Sequence, residues 1–179
     1  MHRLSILIFI PAAVLSSSAQ ADTIVQTGTI TDLNAPPFQY VDITLFDTMG
    51  GTNQLNFVQI DFLTSTIGGY TTDGSGVPVH IFAQLDAEWV RNGVSLATTQ
   101  ALIDTIVPNT NKGSATVFNT DTEQVIFDQP ADLATWIGTG TTFMGASTQF
   151  QVFEDPPDII FFGAGGTVRY TVTFCYTRR

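Results

Sequence analysis

The sequence has almost no cysteine and few basic side chains. Cys175 is the only cysteine among 179 residues, so no disulfide can form within the chain. There are 6 Lys and Arg residues against 16 Asp and Glu residues, and the formal net charge at pH 7 is −10. An acidic surface repels phosphate backbones and anionic membrane surfaces. We therefore expect no nucleic-acid partner, and we expect a fold that depends on its hydrophobic core.

Long apolar segments are also missing. The most apolar stretch, Leu4–Leu15, is shorter than the about 20 residues that a membrane span requires. It follows a basic residue and precedes Ala19-Gln20-Ala21, which has the small-residue pattern of a cleavage site. These features predict a signal peptide over residues 1–21 and a single domain over residues 22–179. We expect no membrane span after cleavage, and a location outside the cell or in the periplasm.

Alternation of apolar and polar residues is what the sequence has in abundance. The segment Val77–Trp89 is apolar at every odd position, and its even positions from His80 onward are polar apart from Phe82. A period of two predicts a β-strand with one buried and one wet face. Asn92-Gly93 follows and predicts a two-residue hairpin turn. Simple two-residue register would pair Trp89 with Leu96 but Leu85 with Gln100, so we expect a bulge in this hairpin.

Similar strands are predicted along most of the chain, separated by turn residues at 34–37, 71–76, 108–113, 155–158 and 163–166. Besides the hairpin, the predicted strands are Thr23–Thr31, Phe38–Phe46, Leu55–Thr66, Ser114–Asn119, Gln124–Phe127, Thr141–Phe153 and Val168–Tyr176. Only Pro130–Trp136 has helical character, with Asp128 as a candidate N-cap. The predicted fold class is all-β. It is an antiparallel β-sandwich, jelly-roll or Ig-like, of about seven to nine strands with one short helical segment.

Three segments resemble the bacterial choice-of-anchor E domains. They are 46–60 (FDTMGGTNQLNFVQI), 130–141 (PADLATWIGTGT) and 168–176 (VRYTVTFCY), and their order and spacing are similar to those of the family. The resemblance implies an extracellular bacterial domain of no assigned activity, usually followed by a C-terminal sorting tail. Only Thr177, Arg178 and Arg179 follow the last segment. We therefore expect the protein to be released rather than anchored.

Residues that suggest catalysis are few. His80 is the only histidine after the predicted cleavage site, and it lies on the polar face of its strand, in line with Asp86 and Glu88. A Ser-His-Asp triad would need a serine and an acid beside it, and no nucleophile motif accompanies it. Asp86 and Glu88 share a face, as the acid pair of a glycoside hydrolase would. Carboxylates two residues apart on an exposed strand are more often simply solvated, so we predict no catalytic residues.

Binding chemistry has two candidate sources. Asp155 and Asp158 flank a stiff Pro-Pro turn and Asp73 begins another oxygen-rich turn, so these residues form a calcium hypothesis. Asp-rich turns are also ordinary turn chemistry, because Asp side chains bond their own backbone. Trp89 and Trp136 would suit a sugar platform, although Trp89 is predicted to face inward and Trp136 is undecided.

Three classes of function follow from these features. The favoured class is an exported, non-catalytic domain with a structural or interaction role, whose partner is an extracellular protein or a polysaccharide. The second is a calcium- or carbohydrate-binding module, and the third is a secreted hydrolase. No cofactor is expected unless calcium binds.

The calcium hypothesis predicts a thermal shift. Adding calcium should raise the melting temperature of the mature protein, because an ion that binds only the folded chain stabilises it by mass action. Asp155→Ala or Asp158→Ala should abolish the shift, since each removes a ligand oxygen. Magnesium at equal ionic strength is the control for screening by salt, and an equal rise with both ions would contradict the hypothesis.

Overall fold

The fold is a β-sandwich with jelly-roll strand order, seen in a computed structural model that describes residues 21–30, 39–156 and 161–179. Sheet A has the strand order β1-β8-β3-β6 and sheet B has the order β2-β7-β4-β5, and all pairs within the two sheets are antiparallel. Two four-stranded sheets in this order form the double-sheet jelly roll. The elements are β1 (Ala21–Ile30), β2 (Gln39–Thr44), β3 (Asn53–Asp73), β4 (Val79–Arg91), β5 (Val94–Val107), β6 (Lys112–Phe127), α1 (Pro130–Ala134), β7 (Thr141–Asp155) and β8 (Phe161–Arg178).

The predicted fold class is thus confirmed, and the predicted leader falls outside this description except for Ala21, which begins β1. The predicted turn at 34–37 also lies outside the described residues. Within the residues described, no helix is long and apolar enough to cross a membrane.

Strand β4 confirms the alternation that the sequence predicts. Six inward residues are buried with at most 2% exposure: Val79, Ile81, Ala83, Leu85, Ala87 and Trp89. Val77 was predicted to be the first of this series, but it precedes the strand and is 42% exposed. It follows Gly74 and Gly76, whose positive φ angles turn the chain between the two sheets before the ladder can start.

The predicted hairpin bulge is confirmed. Asn92 and Gly93 both have positive φ, as a type I′ turn requires, and Val90 pairs with Ser95. The register then shifts, so that Trp89 lies opposite Ala97 instead of Leu96. The extra residue restores the match of inward faces, because Leu85 then faces Ala101, which is buried, and not Gln100.

Four other sequence predictions were wrong in detail. The separate strands Ser114–Asn119 and Gln124–Phe127 are one strand, β6, because an exposed edge strand accepts polar residues throughout. The predicted turn at 163–166 continues β8, with Gly163 opposite Gly69. Predicted helix 130–136 ends at Ala134, and Asp128 does not cap it: the N-cap is Gln129, which makes no capping side-chain hydrogen bond.

Gly68 of β3 packs closely against β8 next to residues 163–166, where the sequence predicted a turn. A Cβ on Gly68 would lie 2.7 Å from the ring of Phe162, whose side chain crosses the backbone of the neighbouring strand. The aromatic ring therefore occupies the space that a side chain would need. Glycine in these strands serves close packing and does not break the ladder.

The core has two parts separated by hydroxyl groups. The larger cluster surrounds Trp89 and Trp136, and the smaller surrounds Ile81 and Ile103. Between them the hydroxyl of Thr64 in sheet A bonds that of Thr99 in sheet B, and the Thr66 hydroxyl donates to the carbonyl of Ala101 at 3.0 Å. Each buried hydroxyl thus has a partner in the opposite sheet, which fixes how the sheets face each other.

Buried Arg91 holds the helical segment against the sandwich. Its guanidinium lies 3.6 Å from the centre of the Trp136 ring and donates to the carbonyl and hydroxyl oxygens of Thr135. Thr135 is the C-cap residue of α1, and the carbonyl groups at the end of a helix favour a cation. Burial lowers the pKa of Arg91, but the aromatic face and these oxygens stabilise its charge.

The threonine pair yields a prediction about stability. Thr99→Val should lower the free energy of unfolding by about 1–3 kcal/mol, because it leaves the Thr64 hydroxyl buried without a partner. Thr64→Val should do the same for the reciprocal reason. The double variant should be less destabilised than the sum, since it removes both polar groups together. Urea unfolding of the four proteins measures this cycle, and strictly additive losses would contradict the pairing.

Candidate functional site

The outer face of sheet B is the candidate site, and strand β7 shows its character most clearly. Met144 and Ala146 of this strand point inward and are buried. The outward positions between them and beyond are aromatic at both ends and small or polar in between, reading Phe143, Gly145, Ser147, Gln149, Gln151 and Phe153. Alternation along the strand places all six on one surface.

Strand β4 continues this surface, because residues directly opposite in a ladder share a face. The register places Phe82 opposite Phe153, and three polar pairs follow along the strands: Gln84 with Gln151, Asp86 with Gln149, and Glu88 with Ser147. Val90 then lies opposite Gly145. The face therefore has a central amide and carboxylate zone between two apolar ends.

Side chains in the central zone hold one another in place. Asp86 accepts a hydrogen bond from the Gln84 amide at 2.6 Å through one oxygen and from the Gln100 amide at 2.7 Å through the other. Each glutamine retains a carbonyl oxygen and a second amide hydrogen for another partner. This zone therefore presents fixed donors and acceptors.

A shallow hollow of about 390 Å³ lies over the central zone. Among its lining residues are Asp86, Glu88, Gln100, Asp121, Ser147 and Gln149. The lining contains three carboxylates, and neither lysine nor arginine contributes to it. Its electrostatics therefore favour neutral or cationic ligands over anionic ones.

Exposed aromatic rings mark the two ends of the face. At one end the rings of Phe82 and Phe153 stack with centroids 4.5 Å apart. At the other end Tyr40 meets Phe143 edge to face at 5.6 Å, beside a second hollow of about 270 Å³. Tyr40, Phe143 and Phe153 are 67%, 56% and 47% exposed, so each offers a ring surface to solvent.

Sequence reasoning missed these aromatic residues as site candidates. Trp89 is fully buried, which confirms that it faces inward, and Trp136, which the sequence left undecided, is fully buried as well. The alternation of β7 places Phe153 on the outer face, and this pattern could have identified it. Phe82 lies opposite Phe153 on the same face. From the sequence alone, Phe82 is a single apolar residue on the solvent-exposed face of its strand.

His80 lies on the outer face as predicted, at the Phe153 end. Its Nε2 atom is 2.5 Å from Asp104, and its ring meets that of Phe153 edge to face. Asp104 was not singled out by the sequence, because the bulge in the hairpin shifts its position relative to β4. Among the described residues, Asp104 is the hydrogen-bond partner of His80, and no serine joins the pair.

The residues of the calcium hypothesis are spread over different parts of the chain. Asp155 ends β7 opposite His80, Asp73 ends β3 in the other sheet, and Asp158 lies outside the described residues. Within 21–30, 39–156 and 161–179, no three His, Cys, Asp or Glu side chains form a group suited to a metal ion. Calcium binding at Asp155 and Asp158 stays a prediction.

Asp73 has a structural use in its turn. Its carboxylate accepts hydrogen bonds from the backbone N–H of Ser75 at 2.9 Å and from the amide of fully buried Asn109 at 2.7 Å. Asn109 in turn accepts from the backbone N–H of Gly74. The bond from Ser75, followed by that from Asn109, lowers the pKa of Asp73, because both favour the charged carboxylate.

Cys175 lies on the outer face of sheet A and is half-buried with a free thiol. Burial raises the pKa of this thiol, which disfavours the reactive thiolate. Its position opposite Phe57 and Thr23 agrees with the predicted polar face of β8.

No protein-family model matches the sequence, and no curated protein matches it. Among solved structures, the chain is similar to one from the Gx strain of infectious bursal disease virus, with 12% identity and a TM-score of 0.29. That match covers 98% of this chain but 42% of the viral chain, so this chain spans less than half of that protein's length. The chain is also similar to a carbohydrate-binding module from glycoside hydrolase family 9 (Cel9A) of Ruminococcus flavefaciens FD-1, with 10% identity, a TM-score of 0.27, and coverage of 89% and 98% of the two chains.

The Asp73 turn predicts a pH dependence of stability. Because the folded chain lowers the pKa of Asp73, this carboxylate contributes stability above its ordinary pKa, and that stability is lost as pH falls through the lowered value. Wild-type protein should therefore lose more unfolding free energy between neutral pH and about pH 2 than Asp73→Asn, which has no proton to bind.

Urea unfolding across this pH range measures the difference. Asn109→Ala, which removes the second cause of the shift, should also reduce the pH dependence while lowering stability at neutral pH. Equal pH dependence in wild type and Asp73→Asn would show that the turn does not stabilise the charged form.

Proposed function

We propose that this chain is an exported, non-catalytic domain that binds polysaccharide through the outer face of sheet B. The observation that carries the proposal is the outward series of β7, in which Phe143 and Phe153 bracket Gly145, Ser147, Gln149 and Gln151. Export is supported by the leader pattern of residues 1–21, and an extracellular setting agrees with the resemblance to choice-of-anchor E domains, which we retain as part of the proposal.

The chemistry of the face matches a hydroxyl-rich chain. Glutamine amides both donate and accept hydrogen bonds and carboxylates accept them, so Gln149, Gln151 and Asp86 together suit sugar hydroxyls of either role. Exposed rings offer apolar surface to the C–H faces of sugar rings. Sites for small molecules combine these two ingredients, apolar surface and a few fixed polar groups.

The negative charge of the face restricts the class of polysaccharide that it can bind. Three carboxylates line the central hollow, and the chain as a whole has a net charge of −10. Uronic-acid or sulfated polymers would be repelled by this charge, whereas neutral polymers would not. The proposed ligand is therefore a neutral polysaccharide.

A binding role is also supported by how the candidate acids are used. Both oxygens of Asp86 are engaged by glutamine amides, and this network orders the face. His80 pairs with Asp104 at the end of the face. These contacts organise a surface, and we propose that the surface binds without cleaving.

Binding to a polysaccharide panel tests the proposal. The mature protein should be retarded in native gels that contain at least one of three neutral polymers: hydroxyethyl cellulose, xylan or galactomannan. It should not be retarded by alginate, which is anionic. Phe153→Ala should weaken binding about tenfold, because truncating an aromatic residue that anchors a ligand costs more than about 1 kcal/mol.

Phe118→Ala is the matched control, since Phe118 is 77% exposed on sheet A and lies away from the site. Circular dichroism melting shows whether each variant remains folded. Retardation by none of the neutral polymers, or equal weakening by Phe118→Ala and Phe153→Ala, would refute the proposed function.

A further inference from the structure

We infer that the site takes the interior of an extended polysaccharide chain running along β7, and that short oligosaccharides fill only part of it. This inference rests on the proposed function and specifies which form of ligand the face recognises. Its basis is the placement of two aromatic pairs at opposite ends of one face, with three rows of polar side chains between them. We call the stretch of this face from one aromatic pair to the other the track.

The length of the track follows from strand geometry. Phe143 and Phe153 are ten residues apart on the same strand and the same face. At about 3.3 Å per residue, their positions are separated by roughly 33 Å. A mono- or disaccharide is far shorter than this distance, so one such ligand contacts a single aromatic pair. Only a longer chain reaches both pairs.

The middle of the track offers hydrogen-bonding contacts between the two pairs. Rows of opposed side chains follow one another without an apolar interruption: Gln151 with Gln84, Gln149 with Asp86, and Ser147 with Glu88. A chain that crosses the track therefore meets hydrogen-bonding groups in these three central rows, and the Val90–Gly145 row separates them from Phe143. The central hollow, which Gln149 and Ser147 help to line, gives the chain room between the ends.

Both ends of the track are open in the described part of the protein. Tyr40, Phe143 and Phe153 keep about half or more of their surface exposed, although each also lies against the other ring of its own aromatic pair. A site for a chain terminus would instead be blocked at one end. Openness at both ends matches a ligand that continues beyond the protein in both directions.

Two separated contacts on one ligand make affinity depend steeply on length. Once a chain contacts one aromatic pair, the second contact becomes intramolecular and benefits from a high effective concentration. Affinity should therefore rise by at least about a hundredfold as the chain becomes long enough to span both pairs, and then level off.

The competing geometry crosses the strands instead of following them. A ligand lying from Ser147 through Glu88 to Thr98 would use the central hollow and neither aromatic pair. A short oligosaccharide would already make every contact that this crossing geometry offers. Its binding would depend on the central residues and would be insensitive to Phe143 and Phe153.

Calorimetry with a length series decides between the two geometries. The probes are purified oligosaccharides, from the disaccharide upward, cut from whichever neutral polymer retards the protein in native gels. Wild-type protein should show the steep rise in affinity. Phe143→Ala and Phe153→Ala should each flatten the rise while leaving binding of the shortest probes by the other end intact, and Phe118→Ala should behave as wild type.

A second measurement checks for interior recognition. Chemical reduction of the oligosaccharide end should leave the affinity of long probes unchanged. Equal affinity for short and long probes, or dependence on a free chain end, would overturn this inference while the proposed function stands. Absence of binding to the parent polymers would overturn the proposed function itself.

Discussion

Alternation along β4, with β7 paired to it in constant register, is the constraint on which the rest of the structure depends. Every inward residue of β4 from Val79 to Trp89 is buried, so every residue between them is placed on the outer surface. A slip of one residue would exchange the two sets and expose the core. The residues that stabilise the sandwich and the residues that form the candidate site are thus fixed by the same register, and the bulge beside Trp89 is what allows β5 to share it.

Both edges of sheet B, β2 and β5, are contacted by side chains from the edge strands of sheet A. At one side the Gln26 amide accepts from the backbone N–H of Thr44 and donates to its carbonyl. At the other, Asp121 accepts from the N–H of Gln100, and Asn119 donates to the carbonyl of Leu102. Unpaired edge groups invite pairing with other chains, and these contacts satisfy several of them. Edges that do not recruit further strands leave the flat faces of the sheets as the accessible surfaces.

Strand alternation could be predicted from the sequence because it depends on neighbours two positions apart. This is why the buried set of β4, the hairpin at Asn92-Gly93 and the two-layer fold were correctly expected. The errors arose where distant residues decide the outcome. Gly163 was predicted to lie in a turn, but it pairs with Gly69 of β3 and continues the strand. The role of Trp136 could not be assigned because it depends on contacts with Arg91 and with core residues that are distant in sequence. The candidate face was missed for the same reason. Phe82 forms an aromatic pair with Phe153, which is distant in sequence and becomes its neighbour only through the pairing of β4 with β7.

The internal bonding of the outer face bears on how a weakly contoured surface can bind at all. Ligand binding must offset the ordering of flexible side chains, and each such side chain costs about 0.5–1.5 kcal/mol when it is immobilised. Here Gln84 and Gln100 are already held by Asp86, and Phe82 and Phe153 hold each other by stacking, so part of that cost is met during folding. Asp86, which accepts a hydrogen bond from each of these two glutamines, acts as the fixed anchor for its neighbours. This ordering of the surface before any ligand arrives is the physical case for the binding role proposed above.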